Sequence, residues 1–249
     1  MRAPNPSFMT GAGTNTYLVG TGDVAVIDPG PDDPAHIAAI IEAAGRERVR
    51  RVLLTHAHSD HAPGAPGLAR ETGAQILAYR TIGDGERVTG GSADAPFTLE
   101  ALHTPGHASD HLCFFLREET ALFSGDLIMS GSTVVIAPPD GDMAAYLRSL
   151  DRLKQRTLSR IYPGHGDVIE TPQVVVDEYI QHRLDRERQV LAALRRGPRR
   201  IVDMVPEIYA GVPETLHRMA ALSVYAHLLK LRDEGRVIGV DQDTEWRLA

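Results

Sequence analysis

Short apolar runs alternate with segments of helical periodicity through most of the chain. Residues 14–29 read as two short strands joined by Gly20-Thr21-Gly22-Asp23, a hairpin signal. A helix is expected over 33–45, begun near Asp32-Asp33-Pro34 and ended at Gly45. Val49 to Leu54 is the next strand, Ala62 to Thr72 a helix closed by Gly73, and Ile76 to Tyr79 another strand. Residues 83–94 are rich in Gly and Asp and carry only weak structure signals. Strands are expected at 97–103, 111–116 and 120–124, a helix over 142–156, and a last strand at 158–162. Strands and helices thus interleave, which favours a layered α/β architecture.

The pattern changes after Thr171-Pro172. Residues 173–195 form a long charged helix, stopped near Gly197-Pro198. Ile201 to Tyr209 is a second helix closed by Gly211, and Pro213 to Glu234 a third, with Gly235 as its stop signal. Val237 to Val240 and Thr244 to Leu248 then read as a hairpin across Asp241-Gln242-Asp243. Three helices and a hairpin look like a small winged-helix module, so the expected domains are 1–172 and 173–249. The third helix carries Met219, Leu222, Val224, Tyr225, Leu228, Leu229 and Leu231, an apolar set suited to packing. It presents few basic residues, so a structural or substrate-cleft role is expected, without specific reading of duplex DNA.

Composition narrows the function classes. At 249 residues with 43% apolar content, the chain supports one large domain with a small appendage. No run of eighteen apolar residues occurs, so no membrane span is expected. The start, Met1 to Phe8, lacks an apolar signal segment, and the single Cys113 excludes an internal disulfide; both suit a cytoplasmic protein. Residues 173–249 hold equal numbers of basic and acidic groups, so the net charge of −7 belongs to the first 172 residues. That balance argues against a large nucleic-acid surface.

The candidate chemistry sits where strands give way to turns. Thr55-His56-Ala57-His58-Ser59-Asp60-His61 follows an apolar run and puts three histidines and a carboxylate within six residues. Neutral imidazole and carboxylate are the usual ligands of zinc and its first-row neighbours. His107 lies in Thr104-Pro105-Gly106-His107, Asp126 ends Leu122 to Asp126, and His165 lies in Tyr162-Pro163-Gly164-His165-Gly166. Loops at one edge of a sheet can converge on a point. Seven ligands exceed what one tetrahedral metal uses, but two metals can share them if a carboxylate bridges.

The order His-x-His-x-Asp-His, His, Asp, His resembles the metallo-β-lactamase superfamily. The resemblance implies an αββα sandwich with two metals at one edge, between the sheets. It implies that His56, His58 and His107 hold the first metal, that Asp60, His61 and His165 hold the second, and that Asp126 bridges. Asp28, in Ala25-Val26-Ile27-Asp28-Pro29-Gly30, matches a further family motif and would support the ligands from behind. Gly13-Thr14-Asn15-Thr16-Tyr17-Leu18-Val19-Gly20, the two Pro-Gly-His segments and Pro213-Glu214-Thr215-Leu216-His217 look like the β-lactamase-like protein 2 subgroup. That subgroup includes a mitochondrial single-strand endoribonuclease, and related sequences include fungal polyketide-associated thioesterases.

The expected activity is therefore metal-dependent hydrolysis by a bridging hydroxide, with zinc the expected metal and manganese or iron the alternatives. Two divalent ions lower the pKa of bound water from about 15.7 towards 7, which creates a nucleophile at neutral pH. Asp60 would bind metal and orient that nucleophile. His103 would be a leaving-group acid or a hydrogen-bond donor that supports a ligand from behind, and His111 would brace a ligand. Single-stranded RNA is the first substrate class and a thioester or related ester the second. Lactam hydrolysis is disfavoured, because enzymes specialised for it commonly carry Cys where this chain has Asp126. A non-catalytic metal-binding or nucleic-acid-binding protein is the reading of a different class, and the complete ligand set speaks against it.

Overall fold

Consecutive Val, Ile and Leu leave β2 (Asp23–Ile27) and β3 (Arg48–Leu53) with apolar groups on both faces, as expected of strands covered on both sides. A computed structural model describing residues 1–249 shows what covers them. β1 (Tyr17–Val19) pairs antiparallel with β2, while β2, β3 and β4 (Gln75–Leu77) run parallel, in the order β1-β2-β3-β4. One face packs on α1 (Pro34–Ala44) and α2 (Gly64–Thr72), where Val26 and Val52 meet Ile37, Ile40 and Leu68. Asp33 caps α1 by accepting the His36 N–H at 2.9 Å, and Pro34 follows in its first turn.

The second sheet has the order β5-β6-β7-β8-β9, from β5 (Arg87–Ser92), β6 (Ala95–His103), β7 (Leu112–Leu116), β8 (Ala121–Gly125) and β9 (Arg160–Pro163). Its pairs are antiparallel except β8 with β9, which is parallel. The two sheets share one core: Ala25, Ile27 and Leu53 from the first meet Leu99, Ala101, Phe114 and Phe123 from the second. β5 lies in the Gly- and Asp-rich stretch 83–94, whose residues carry only weak structure signals. It is an edge strand in which only Val88 is fully buried, so its pairing with β6 holds a polar, Gly-containing segment that has no apolar alternation.

The chain divides into two compact units. The first comprises residues 1–104, 110–133 and 155–175, and the second residues 105–109, 134–154 and 176–249. The second contains α3 (Met143–Lys154), most of α4 (Pro172–Leu194), α5 (Ile201–Ile208), α6 (His217–Asp233), β10 (Val237–Ile238) and β11 (Arg247–Leu248). The third C-terminal helix opens as a separate 3-10 turn, Glu214–Leu216, after the extended Pro213. Ala220, Val224, Leu228 and Leu231 then form its buried stripe and join Val190, Met204, Val205 and Trp246 in a core of their own. The hairpin is short. Its turn is held by Asp241, whose Oδ1 accepts the N–H groups of Asp243 and Thr244, while the buried Trp246 donates Nε1–H to the Asp241 carbonyl.

The architecture is thus an α/β sandwich of two mixed sheets flanked by helices, with a separate helical, winged-helix-like module at the C-terminus. No helix is long and apolar enough to cross a membrane.

Candidate metal centre

Parallel strands deliver their C-terminal ends to the same edge of a sheet. Asp28 follows β2 and the Thr55–His61 segment follows the parallel β3; Asp126 follows β8 and His165 follows the parallel β9. Six of the seven candidate ligands, His56, His58, Asp60, His61, Asp126 and His165, therefore come from two such edges within the first unit. Ligand atoms of Asp60, His61 and His165 lie within 4.8 Å of one another, and so do those of His56, His61 and Asp126.

Behind the ligands stands Asp28, 2% exposed, in the left-handed region at φ +49°. Asp is among the few side chains that tolerate this conformation. Its Oδ1 accepts the Thr55 N–H at 2.8 Å. Its Oδ2 accepts the Thr55 hydroxyl at 2.6 Å and the His61 Nδ1–H at 2.8 Å. Because the Thr55 hydroxyl is spent on Asp28, its oxygen accepts from His56 Nδ1 at 3.0 Å. One carboxylate thus sets Nδ1 as the proton-bearing nitrogen of both rings and leaves both Nε2 atoms as potential ligands.

These donors fit a divalent cation. His61 Nε2 lies 3.2 Å from His165 Nε2. His165 Nε2 lies 3.1 Å from Asp60 Oδ2 and 3.4 Å from Asp126 Oδ1, and His61 Nε2 lies 3.4 Å from each of those oxygens. Each nitrogen is thus close to the other nitrogen and to both oxygens, and imidazole nitrogen with carboxylate oxygen is the donor chemistry that zinc takes. His56 Nε2 meets His58 Nδ1 at 3.0 Å, the start of a second cluster that reaches Asp126 through His56.

The charge balance points the same way. Burial opposes an imidazolium at His61, yet the charges of Asp126 and Asp28 and their hydrogen bonds raise its pKa well above the usual value. Burial also opposes charge on His165, but its bonds to Asp126 and Asp60 push it up to about 9. Burial disfavours ionised Asp60 too, and the hydrogen bonds from His165 and His61 outweigh it and hold that carboxyl far below the usual range. The carboxylates demand positive charge, which protons or metal ions can supply.

A pH dependence follows. The His165 pKa is raised on folding, so its stabilising contribution is complete below pH 6.5 and is lost as the pH rises through about 9. Metal-free protein is expected to lose stability on the order of 3 kcal/mol across that interval. Zinc affinity should rise over the same interval, because the metal displaces those protons. Thermal unfolding with and without zinc from pH 6 to 9.5 checks this, and a flat metal-free profile would refute it.

The remaining residues are placed as follows. His111 is wholly buried; its Nε2 accepts the Asp126 N–H at 3.1 Å and its Nδ1 meets the Thr104 hydroxyl at 3.0 Å, so it holds the backbone of Asp126. His107 lies on segment 105–109 of the second unit, where its Nδ1 donates to the Val135 carbonyl at 2.9 Å. His103 ends β6; its N–H donates to Asp84, and its ring stacks on Tyr79 with centroids 4.5 Å apart. Gly164 must lack a side chain, since a Cβ there would come within 2.7 Å of Asp126 Oδ1 and 2.8 Å of His61 Cε1.

Two positioning residues were not legible from the sequence. Thr55 opens the His-rich motif and is the link between Asp28 and His56. Asn15 belongs to the Gly13–Gly20 motif; its side-chain amide donates to the carbonyls of Pro163 and Gly166, and its N–H donates to that of Gly164. It braces the loop that carries His165. The motif containing it was the one available signal.

A family model described as the metallo-beta-lactamase superfamily matches residues 9–86 and 84–165, and one described as a beta-lactamase associated winged helix domain matches 201–246. The chain belongs to the metallo-β-lactamase superfamily. It is 35% identical to a beta-lactamase-like protein 2 homolog of Drosophila melanogaster, over 94% of this chain and 87% of that protein. It is also 35% identical to an atrochrysone carboxyl ACP thioesterase of Aspergillus chevalieri, over 94% of this chain and 80% of the relative. A metallo-beta-lactamase family protein of Thermus thermophilus shares the fold, with a TM-score of 0.78 at 24% identity, over 95% of this chain and 94% of the other.

Proposed function

We propose that the protein is a dinuclear metallohydrolase of the β-lactamase-like protein 2 group that cleaves single-stranded RNA. The observation that carries the hydrolase reading is the convergence of His61 Nε2 and His165 Nε2, 3.2 Å apart, with each 3.1–3.4 Å from Asp60 Oδ2 and from Asp126 Oδ1. His56, His58 and His107 are assigned to one ion, Asp60, His61 and His165 to the other, and Asp126 to both. Zinc fits the nitrogen-rich donor set, with manganese or iron as alternatives. When bound, two such ions supply Lewis acidity and an activated water at neutral pH.

The protein's own groups do the rest. Asp28 holds His61 and, through Thr55, His56 in the ligating tautomer. His111 fixes the backbone of Asp126. Asp60, kept ionised by its histidine neighbours, orients the nucleophile. His103, at the end of β6, delivers the proton to the leaving group.

The substrate assignment rests on the Drosophila relative's subgroup. The fungal relative, whose name records an acyl-carrier-protein thioesterase, supports a second reading as a thioester hydrolase. Parallel assays of the zinc-loaded protein on single-stranded RNA and on acyl thioesters separate the two. RNA cleavage with no thioester turnover is expected, and the reverse would reject the ribonuclease reading. Elemental analysis should approach two metal equivalents per chain; full activity at one equivalent would sink the dinuclear assignment. No sequence-specific binding of duplex DNA is expected at physiological salt, since residues 173–249 carry no net charge.

A further inference from the structure

The loop 105–109 carries His107, and several backbone supports for it come from the second unit. Gly106, at φ +142°, lies so close to α3 that a Cβ would come within 2.3 Å of Tyr146 Cα. The Asp142 N–H donates to the Gly106 carbonyl at 2.8 Å, and the Ser149 hydroxyl to that of Pro105 at 2.8 Å. From the other side, the Val135 carbonyl accepts His107 Nδ1–H at 2.9 Å.

Arg183, on α4, is common to both supports. Its Nη2 donates to the Val134 carbonyl at 2.5 Å, one residue before the acceptor of His107. Its guanidinium carbon lies 5.2 Å from the ring centroid of Tyr146. The side chain is 2% exposed, no carboxylate lies within ion-pair distance, and its Nε makes no hydrogen bond. Burying an unpaired cation is costly, so a residue serving only to fill space there would be apolar. The cation touches instead the two elements that hold one histidine.

We propose that Arg183 is a positioning residue for His107. By clamping the Val134–Val135 backbone and the face of Tyr146, it fixes the His107 ring as the Nδ1–H tautomer and leaves Nε2 as the ligating nitrogen. A planar guanidinium can donate to a carbonyl and stack on a ring at once, which an ammonium cannot. Metal-binding histidines commonly donate their other N–H to a carbonyl; here a cation on α4 secures the backbone beside that carbonyl. Only the last step, ligation, rests on the proposed metal assignment. Tautomer and orientation do not.

The test uses the full chain with Arg183→Met, Arg183→Lys and, as control, Arg186→Met. Arg186, three residues along α4, stacks on Tyr209 at 4.2 Å and donates to the Ile208 carbonyl, away from the 105–109 loop. The 15N spectrum of labelled histidines in metal-free protein reports the tautomer of His107, and cobalt titration followed by its visible spectrum reports ion binding. Wild type and Arg186→Met should show His107 as Nδ1–H. Arg183→Met should show mixed tautomers and bind one of two cobalt ions about tenfold or more weakly. Arg183→Lys should fall between, and it carries the test if the methionine variant does not fold. An unchanged tautomer with unchanged cobalt binding in the Arg183 variants would overturn the proposal, as would the same change in Arg186→Met. A tautomer shift confined to the Arg183 variants, in a protein that binds no cobalt, would uphold the role of Arg183 and reject the metal assignment instead.

Discussion

Replacing Asp126 by alanine is expected to lower hydrolysis more than 100-fold at saturating zinc, while the fold survives. Loss of a group that merely supports a ligand costs about 10–100-fold, and Asp126 is assigned directly to both ions, so its loss should exceed that range. Asp126 Oδ1 lies 3.4 Å from both His61 Nε2 and His165 Nε2, and its cluster with His56 and His61 extends towards His58. The sheets do not depend on it, because their shared core is built from Ile27, Leu53, Leu99, Phe114 and Phe123. Far-UV circular dichroism should therefore stay close to wild type in the metal-free state, while thermal stability near pH 7 falls by the part of the His165 contribution that Asp126 supplies. The informative comparison is His103→Ala at matched metal content, which should keep both ions and lose less activity. Equal losses of turnover and of metal in the two variants would show that Asp126 has no special place.

Asp28→Asn should weaken zinc binding and activity about 10–100-fold. Asn, like Asp, tolerates the left-handed backbone at φ +49°, so the substitution tests the carboxylate and leaves the turn intact. An amide can still accept the Thr55 N–H. It cannot accept both the Thr55 hydroxyl and His61 Nδ1–H, because its nitrogen is a donor. Either His61 turns over its tautomer and presents a proton to the metal, or Thr55 releases His56. Both outcomes remove a lone pair from the site. Zinc titration and the pH profile of binding are the measurements, and wild-type affinity in the variant would remove Asp28 from the account.

Much of the fold was legible because apolar periodicity and turn residues are local signals. β1 to β4, α1 and α2 fall within a few residues of their expected places, as does the caps' chemistry at Asp33, Gly45 and Gly73. β5 was not legible. Its place is set by pairing with β6, and a strand whose side chains are mostly half-exposed needs no apolar alternation of its own. The third C-terminal helix was expected to begin at Pro213, but the extended conformation of that residue and the 3-10 turn after it delay α6 to His217.

The ligand types were written in the chain, since imidazole and carboxylate density at strand ends has no packing explanation. What the sequence by itself determined is thus the donor set and the strands that carry it. The tertiary structure alone decided which lone pairs converge. Asp60, His61, Asp126 and His165 are separated by up to about a hundred positions, and only the parallel pairings of β2 with β3 and of β8 with β9 bring the strand ends that carry them to an edge. The supports of the site were likewise invisible in sequence, because Thr55, Asn15, His111 and Arg183 act through hydrogen bonds to side chains far along the chain or to backbone groups that any residue could supply. Residue type encodes what can ligate; the folded hydrogen-bond network decides which nitrogen does.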